Sequence, residues 1–466
     1  MRSVSADAIR EGLRTLPFDE LYEVGGSLRD ELLGREPKDV DVLVRGHSID
    51  DLVVALSAQG PVAELIVAGR LVGVRFWPRY GPREGIEVVP PRRETAIPPG
   101  DPEAGGNPHT DFRIEPDPQL AVEDDLLRRD FTVNAMARDL RSGAWHDPFG
   151  GRHDLAAGVL RVVHETAFRD DPLRILRGIA RCSIDGLAPD EATAALMRAS
   201  AARIGELSPE RIRGELDRTL AGEEPGRALR IARELGVLGV ALPEWAHCIG
   251  AVQDSPTQAW TLDEHILCVL DGVVAAGAGP DLRLAALWHD VGKPFVHGIH
   301  EHAAEGARIA RAALRRLTYD NDTVAHVVKL VREHAYGDDR APTEDGARRF
   351  LARVGRLEAD ELLLLRRADR SARGMPDPFE TSERRQRFER LVREQSHQPV
   401  TLSELAVDGA DLLEAGWLEG PELGRTLRAL LDVVLGDPSL NRRDQLLALA
   451  SAPDGDGVRS NDARRP

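Results

Sequence analysis

Two glycines, Gly25 and Gly26, stand directly ahead of Ser27-Leu28-Arg29-Asp30, and Asp39 and Asp41 follow within about twenty residues. Lacking a Cβ, the glycines let the backbone approach a ligand closely. Ser27 is placed to cap a helix whose first amides would face an anion. Asp39 and Asp41 are two apart on a predicted strand, which puts both carboxylates on one face. They repel each other unless a cation sits between them, and beside a phosphate cradle the simplest cation is Mg2+. Alone, Gly-Gly is a turn and Asp-x-Asp a solvated strand end. In this order and spacing they read as a phosphate-and-metal site.

Three further groups bear on the same chemistry. Glu87 interrupts the apolar strand Gly85-Ile86-Glu87-Val88-Val89, where a carboxylate needs a partner or a metal unless it faces water at an edge. Arg128 and Arg129 sit inside Glu123-Asp124-Asp125-Leu126-Leu127-Arg128-Arg129-Asp130-Phe131-Thr132-Val133-Asn134-Ala135. The leading acids and the helical spacing of the apolar residues predict a helix there, and the guanidinium fork suits phosphate oxygens. Asp171, Arg174 and Arg177 fall at i, i+3 and i+6 along one side of a helix opened by Pro172. A surface helix laced with salt bridges is the plain alternative.

These motifs together resemble the nucleotidyltransferase head of the tRNA CCA-adding and poly(A) polymerase family, in its bacterial class II branch that carries an HD domain. Arg128-Arg129-Asp130-Phe131-Thr132-Val133-Asn134-Ala135-Met136-Ala137 is close to the family's Arg-Arg-Asp-Phe run, and His146-Asp147-Pro148-Phe149-Gly150-Gly151 continues it. The resemblance implies that Asp39 and Asp41 hold two Mg2+ ions, with Glu87 as a third acid on a neighbouring strand. Gly25, Gly26, Ser27, Arg29, Arg128 and Arg129 would bind triphosphate or RNA. Asp171 would accept from the exocyclic amine of an incoming base, and Arg174 would donate to a ring acceptor. C and A present that amine in the same place; G and U do not. One departure stands out: Asp170 occupies a position where the family usually has Glu, with a shorter reach.

A second constellation follows. His265, His289-Asp290, His302, His334 and Asp369 occur in an order that resembles the metal-dependent HD phosphohydrolase domain, which the family fuses behind its head. By that resemblance His265, His289, Asp290 and Asp369 would hold a metal, and His302 and His334 would complete a second metal or hold a phosphate. The nitrogen and oxygen donors suit Mn2+, Ni2+, iron or Mg2+, and no thiolate anchors zinc or Cu(I). The substrates it implies are 2′,3′-cyclic phosphates or 2′-nucleotides.

These motifs need scaffolding. The chain has 466 residues, more than one domain. Strands and helices alternate to about residue 155, without the long parallel run of a doubly wound fold. Residues 90–118, rich in Pro and Gly, read as a long loop. Beyond about residue 186 the pattern is helical. The expected fold class is α+β: a small mixed-sheet head (1–155), a helical neck (156–255), an HD-type helical domain (256–375) and a helical tail (376–466).

Net charge is −17, so RNA must meet local basic patches and not a basic whole. Three scattered cysteines, Cys182, Cys248 and Cys268, argue against a disulfide framework and fit a reducing cytoplasm. No run approaches the ~18 apolar residues of a membrane span. The expected function is template-independent addition of C and A from CTP and ATP to the tRNA 3′ end. Poly(A) polymerase, CC-only or A-only addition, and a phosphohydrolase with an RNA-binding head are the alternatives.

Overall fold

The structure is a computed structural model that describes residues 5–37, 39–67, 69–78, 82–96, 112–253, 259–296, 298–336, 342–374 and 382–450. It divides into two compact units, Met1–Ile249 with Ala313–Tyr319, and Gly250–Ala312 with Asp320–Pro466. Within them we propose the finer boundaries after residues 155, 255 and 375.

The first unit opens with α1 (Ala6–Leu13), β1 (Leu21–Val24), α2 (Gly26–Leu32), β2 (Asp41–Val44), α3 (Ile49–Ser57), β3 (Val62–Val67), β4 (Arg70–Phe76) and β5 (Ile86–Val89). Ser48 caps α3 in a reciprocal capping box with Asp51, as a helix start beginning Ser-x-x-Asp should. β6 (Arg92–Ala96), β7 (Phe112–Pro116), α4 (Val122–Leu127), β8 (Ala137–Asp139) and β9 (Trp145–His146) complete the head. Seven strands form one sheet in the order β3-β4-β5-β2-β1-β8-β9. Only β2 and β5 run parallel in it; the other described pairs are antiparallel. One face buries Val42, Val44, Val74, Phe76 and Val88 with Ile9 and Leu13 of α1 and Leu52 and Leu56 of α3. The other buries Tyr22, Val24 and Leu43 with Val122 and Leu126 of α4.

Three expectations change here. Residues 90–118 are not one loop: β6 and β7 pair antiparallel from Arg92↔Pro116 to Ala96↔Phe112, while 97–111 lie outside the described residues. The helix expected over the Arg128-Arg129 run stops at Leu127. Asp130 ends it, because its carboxylate takes the Phe131 amide at 2.8 Å and the Asn134 side chain at 2.9 Å, an alternative to helical bonding. Finally, Gly25 and not Ser27 is the N-cap of α2; Ser27 lies buried in the first turn beside Glu23.

Helices α5 (Gly151–Ala156), α6 (Ala167–Asp170), α7 (Leu173–Asp185), α8 (Glu191–Ser200), α9 (Pro209–Ala221), α10 (Pro225–Glu234) and α11 (Leu238–Ala241) follow. The second unit is helical: α12 (Leu262–Ala275), α13 (Pro280–Trp288), α14 (Ile299–Arg316, whose last turn groups with the first unit), α15 (Asn321–Glu333), α16 (Glu344–Val354), α17 (Arg356–Ser371), α18 (Ser382–Gln395), α19 (Gly409–Glu414), α20 (Pro421–Gly436) and α21 (Arg443–Ala450). Tyr336, Phe350 and Phe388 meet ring to ring in its core, with centroids 4.9 to 5.9 Å apart. No helix among the described residues is long and apolar enough to cross a membrane.

Candidate functional site

The head carries a cleft of about 510 Å³, lined by Gly26, Arg29, Asp41, Glu87, Arg128, Arg129, Asp171, Arg174 and Arg177 among others. The sheet brings its acids together. β2 and β5 pair with Val42 opposite Val88, so one step back along both strands Asp41 lies beside Glu87 on the same face. Asp39 departs from expectation. β2 begins only at Asp41, whose partner Val24 is the last residue of β1 before the chain turns at Gly25. Asp39 therefore precedes the strand and is exposed, while Asp41 is half-buried. Burial, then Glu87 and Asp39, push the Asp41 carboxyl up to about 6, against the pull of Arg129. Glu87 has a protein partner, Arg75 at 2.5 Å.

Gly25 has φ +82°, a region open to glycine. A Cβ there would lie 2.5 Å from an Arg129 guanidinium nitrogen. The turn thus serves as a seat for Arg129 as well as an approach for a ligand. Arg129 also donates to the Asn134 carbonyl at 3.2 Å, and its Nε is buried without a partner among the described residues. Asn134 is a node that motif reading missed. Its Oδ1 accepts from Arg29 at 2.6 Å, and its Nδ2 reaches Asp130, which pairs with Arg177 at 2.9 Å. Arg128 lies between Asp125 (2.9 Å) and Glu94 (2.8 Å). Burial works against its charge, but those two acids outweigh it and raise its pKa. Arg92, Glu94, Asp125, Asp130 and Asn134 are site residues the sequence did not single out. Asp130 and Asn134 stand inside the signature run quoted above without a role assigned to them, and Arg92, Glu94 and Asp125 are marked only by their place near, or opposite, the arginines.

Asp171 stands outside α7. Pro172 is the helix N-cap, and Asp171 lies before it in extended backbone, accepting from the Leu173 amide at 3.0 Å. Arg211 of α9 approaches its other oxygen at 3.6 Å. Arg174 donates one nitrogen to the Arg128 carbonyl at 2.9 Å and leaves Nη1 buried with no hydrogen-bond partner among the described residues. An unsatisfied guanidinium donor in a cleft calls for a ligand acceptor.

The second unit gathers its histidines more tightly. His265, His289, Asp290 and Asp369 offer ligand atoms within 4.8 Å of one another, and so do Asp290, His302 and His334. Asp290 joins both groups: its Oδ2 is 3.1 Å from His289 Nε2 and 3.3 Å from His265 Nε2, its Oδ1 3.4 Å from Nε2 of both His302 and His334. All six residues are buried. His289, His302 and His334 each turn Nδ1 to a backbone carbonyl, of Ala286, Gly298 and Val331. That fixes the ring and aims the Nε2 lone pair inward, the arrangement of metal-ligating imidazoles. His265 Nδ1 has no hydrogen-bond partner among the described residues, while Nε2 of His265 and of His289 face carboxylate oxygens of Asp290 and Asp369. Burial, with help from His334 and Lys293, pushes His302 down to about 4, which leaves it neutral and able to ligate. Burial also pushes His265 down, but Asp290 and Asp369 overcome it and bring it to about 9. A donor set of imidazole nitrogens and carboxylate oxygens converging in this way fits a divalent cation.

The cluster's dimensions are fixed by backbone. A Cβ on Gly292 would lie 2.1 Å from the His302 carbonyl and 2.5 Å from the Gly306 amide. The turn after Asp290 therefore touches α14 main chain to main chain. The head acids differ: Asp39, Asp41 and Glu87 form no group within 4.8 Å among the described residues.

Comparison with known proteins places these features. Residues 21–161 match the model of the Poly A polymerase head domain, 186–249 that of a probable RNA and SrmB-binding site of polymerase A, and 262–374 that of the HD domain. The chain is 35% identical over 325 residues to a multifunctional CCA protein of Aromatoleum aromaticum, spanning 67% of this chain and 74% of that one. It is 32% identical over 437 residues to a multifunctional CCA protein of an Acidovorax species, spanning 88% and 94%. Among solved structures, the Bacillus stearothermophilus CCA-adding enzyme in complex with CTP superposes with a TM-score of 0.68 at 25% identity, over 96% of each chain. A Thermotoga maritima CCA-adding enzyme complexed with tRNA shares the fold, with a TM-score of 0.57 at 19% identity over 92% of this chain and 90% of that one.

Proposed function

The chain belongs to the family of multifunctional CCA proteins, and from that premise we propose that its head adds C and A from CTP and ATP to the 3′ end of tRNA. The observation that carries this reading is the cleft itself, with Asp41 beside Glu87 and six arginines around the cavity. The transfer joins the RNA 3′ oxygen to the α-phosphorus and releases pyrophosphate. Divalent cations held by Asp39, Asp41 and Glu87 would supply positive charge at the α-phosphate and at the leaving pyrophosphate.

The protein's own residues do the rest. Arg29, Arg128 and Arg129 neutralise the triphosphate, and Gly25 and Gly26 let it approach the backbone. Ser27 supports the turn from within α2. Arg174 Nη1 donates to the ring acceptor of the base and Asp171 accepts from the exocyclic amine, which admits C and A. Arg177, held by Asp130, extends the positive wall. A base contact of this kind discriminates by roughly 1–3 kcal/mol, so pocket shape must share the rejection of G and U.

Incubating tRNA that lacks its CCA end with labelled CTP and ATP tests the reading. Growth by C, C and A supports it; a long A tail, or no incorporation at all, overturns it.

A second activity is favoured by the closed cluster of the rear unit. We propose that His265, His289, Asp290, Asp369, His302 and His334 hold divalent metal and that this domain hydrolyses phosphoesters, 2′,3′-cyclic phosphates or 2′-nucleotides. The bound metal would supply Lewis acidity toward the phosphate. Asp290 serves both ligand groups, and Lys293, at 2.5 Å from its Oδ2, balances its charge. Release of phosphate from 2′-AMP, or opening of 2′,3′-cyclic AMP, with Mn2+, Ni2+ or Mg2+ is the expected result. No turnover of either with any of the three would overturn it.

A further inference from the structure

One buried carboxylate of the first unit stands outside the cleft lining and is still tied to it. Asp185 is the last residue of α7, and its side chain has no exposed surface. A carboxylate at a helix C-terminus meets the negative end of the helix dipole, and a buried one is costly unless paired. Three arginines pair with it. Arg181, one turn earlier on α7, stands 3.1 Å from Oδ2. Arg35, just after α2, stands 2.5 Å from Oδ1 and donates to the Ile184 carbonyl at 2.8 Å. Arg29, on α2 itself, turns Nε toward Oδ2 at 3.4 Å, with Asp30 alongside. A buried ion cluster of this kind adds little stability over apolar packing, so its value lies in the register it imposes.

The register in question is that of two helices with different packing partners. α2 rests on β1 and α5, whereas α7 packs on α9 and α10. α2 brings Gly26 and Arg29 to the cleft, and α7 brings Arg174 and Arg177. Arg29 is gripped from two sides. Asn134 takes one terminal nitrogen and leads through Asp130 to Arg177, while Asp185 faces Nε. Arg177 and Asp185 are more than two turns apart on α7, about 12 Å along its axis. A helix tied at one point can swing about it; tied at two, it cannot. We infer that Asp185 is a positioning residue for nucleotide addition: it clamps the base-reading helix α7 to the triphosphate helix α2 and so fixes the span from Arg29 to Arg174. This rests on the nucleotide-addition reading of the head. A nucleotide bridges both ends of that span, and its two sets of contacts reinforce each other only when the spacing matches. Loss of the clamp leaves each half of the cleft intact and spoils the match.

The test compares a ligand that spans the cleft with ligands that fill half of it. In the full-length protein with Mg2+ and no RNA, Asp185→Asn, which keeps the shape and drops the charge, should weaken CTP binding about tenfold. Tripolyphosphate and CMP, which do not bridge the whole span, should bind as they do to the wild type. Addition to tRNA lacking its CCA end should fall about a hundredfold in kcat/KM. Arg35→Ala removes the partly exposed arm of the clamp and should show the same pattern more weakly; it decides the question if Asp185→Asn does not fold. Equal weakening of CTP, tripolyphosphate and CMP would overturn the inference and make Asp185 a general support of the fold. Unchanged CTP binding would overturn it too. Should the wild type bind CTP but extend no tRNA, the addition reading fails by itself, and the binding comparison still decides the clamp. Should the wild type bind no CTP, both fall.

Discussion

The head cleft and the rear cluster both gather acids, proposed above to hold divalent cations, but they do so in opposite ways. In the rear, six candidate ligand residues are buried and offer their donor atoms in two close groups that share Asp290. In the head, Asp39 is exposed, Asp41 half-buried, Glu87 is paired with Arg75, and a wide cavity lined by arginines opens between them. The contrast follows from what each site must hold. A triphosphate brings several negative charges, so a site that receives it needs cationic walls and needs few preformed ion ligands. A compact phosphoester brings little charge, so the protein itself must retain the metal. On the proposed reading, the first site would be completed by its substrate and the second by its own fold.

The largest test of this contrast is removal of one acid from each site. Asp41→Ala should lower nucleotide addition by roughly a thousandfold or more, with tRNA affinity and rear-site hydrolysis unchanged. His289→Ala should remove hydrolysis and tightly held metal, measured by elemental analysis, with addition intact. Retained addition in the first variant would break the assignment of the head ligands. Dialysis against a chelator sharpens the same point: the rear ions should survive a brief treatment that abolishes addition until Mg2+ is restored.

Next in size is the base contact. Arg174→Ala should cost roughly ten- to two-hundredfold in kcat/KM for CTP and ATP and should narrow their advantage over UTP. A uniform loss for all nucleotides would instead make Arg174 a scaffold for the Arg128 carbonyl.

The smallest effect is on stability, and its sign differs between the sites. Asp41 has a folded pKa raised to about 6 by burial and by Glu87. A raised carboxyl favours the fold below its unfolded value and loses that contribution as pH rises through about 6. Without metal at pH 7.5, Asp41→Asn should therefore raise Tm, corresponding to at most ~3 kcal/mol. The gap should close as the pH falls toward 4. Asp290 is opposite: burial pushes it up, but His289 and Lys293 hold it well below the ordinary range. Asp290→Asn should lower Tm at neutral pH, an effect that fades as the medium is acidified.

The sequence disclosed these sites unequally, for physical reasons. The rear residues were legible through their resemblance to the HD pattern, and the fold brings all six together because each stands on a helix or just past its end. In the head, type was legible and placement was not. The alternation rule put Asp39 on the strand with Asp41, but strand pairing ends at Val24 because Gly25 turns away, and no local pattern records that. Residues 92–96 and 112–116 read as loop because the Pro and Gly between them masked a long-range pairing. Asn134, Asp130 and Glu94 were invisible as site residues, since their role is to orient arginines from other segments. Ser27 looked like a cap because Ser usually is one, while the positive φ of Gly25 had already claimed that position.

The contact at Gly292 has a consequence for how the rear site can change. Two stretches of main chain meet there with no room for a methyl group, so the turn after Asp290 is held directly against the His302 carbonyl. An ion of different radius cannot be welcomed by a side chain simply leaning outward, since ring and carboxylate both spring from backbone that is already touching. Retuning the metal proposed for this site would then begin at Gly292, a residue that binds nothing.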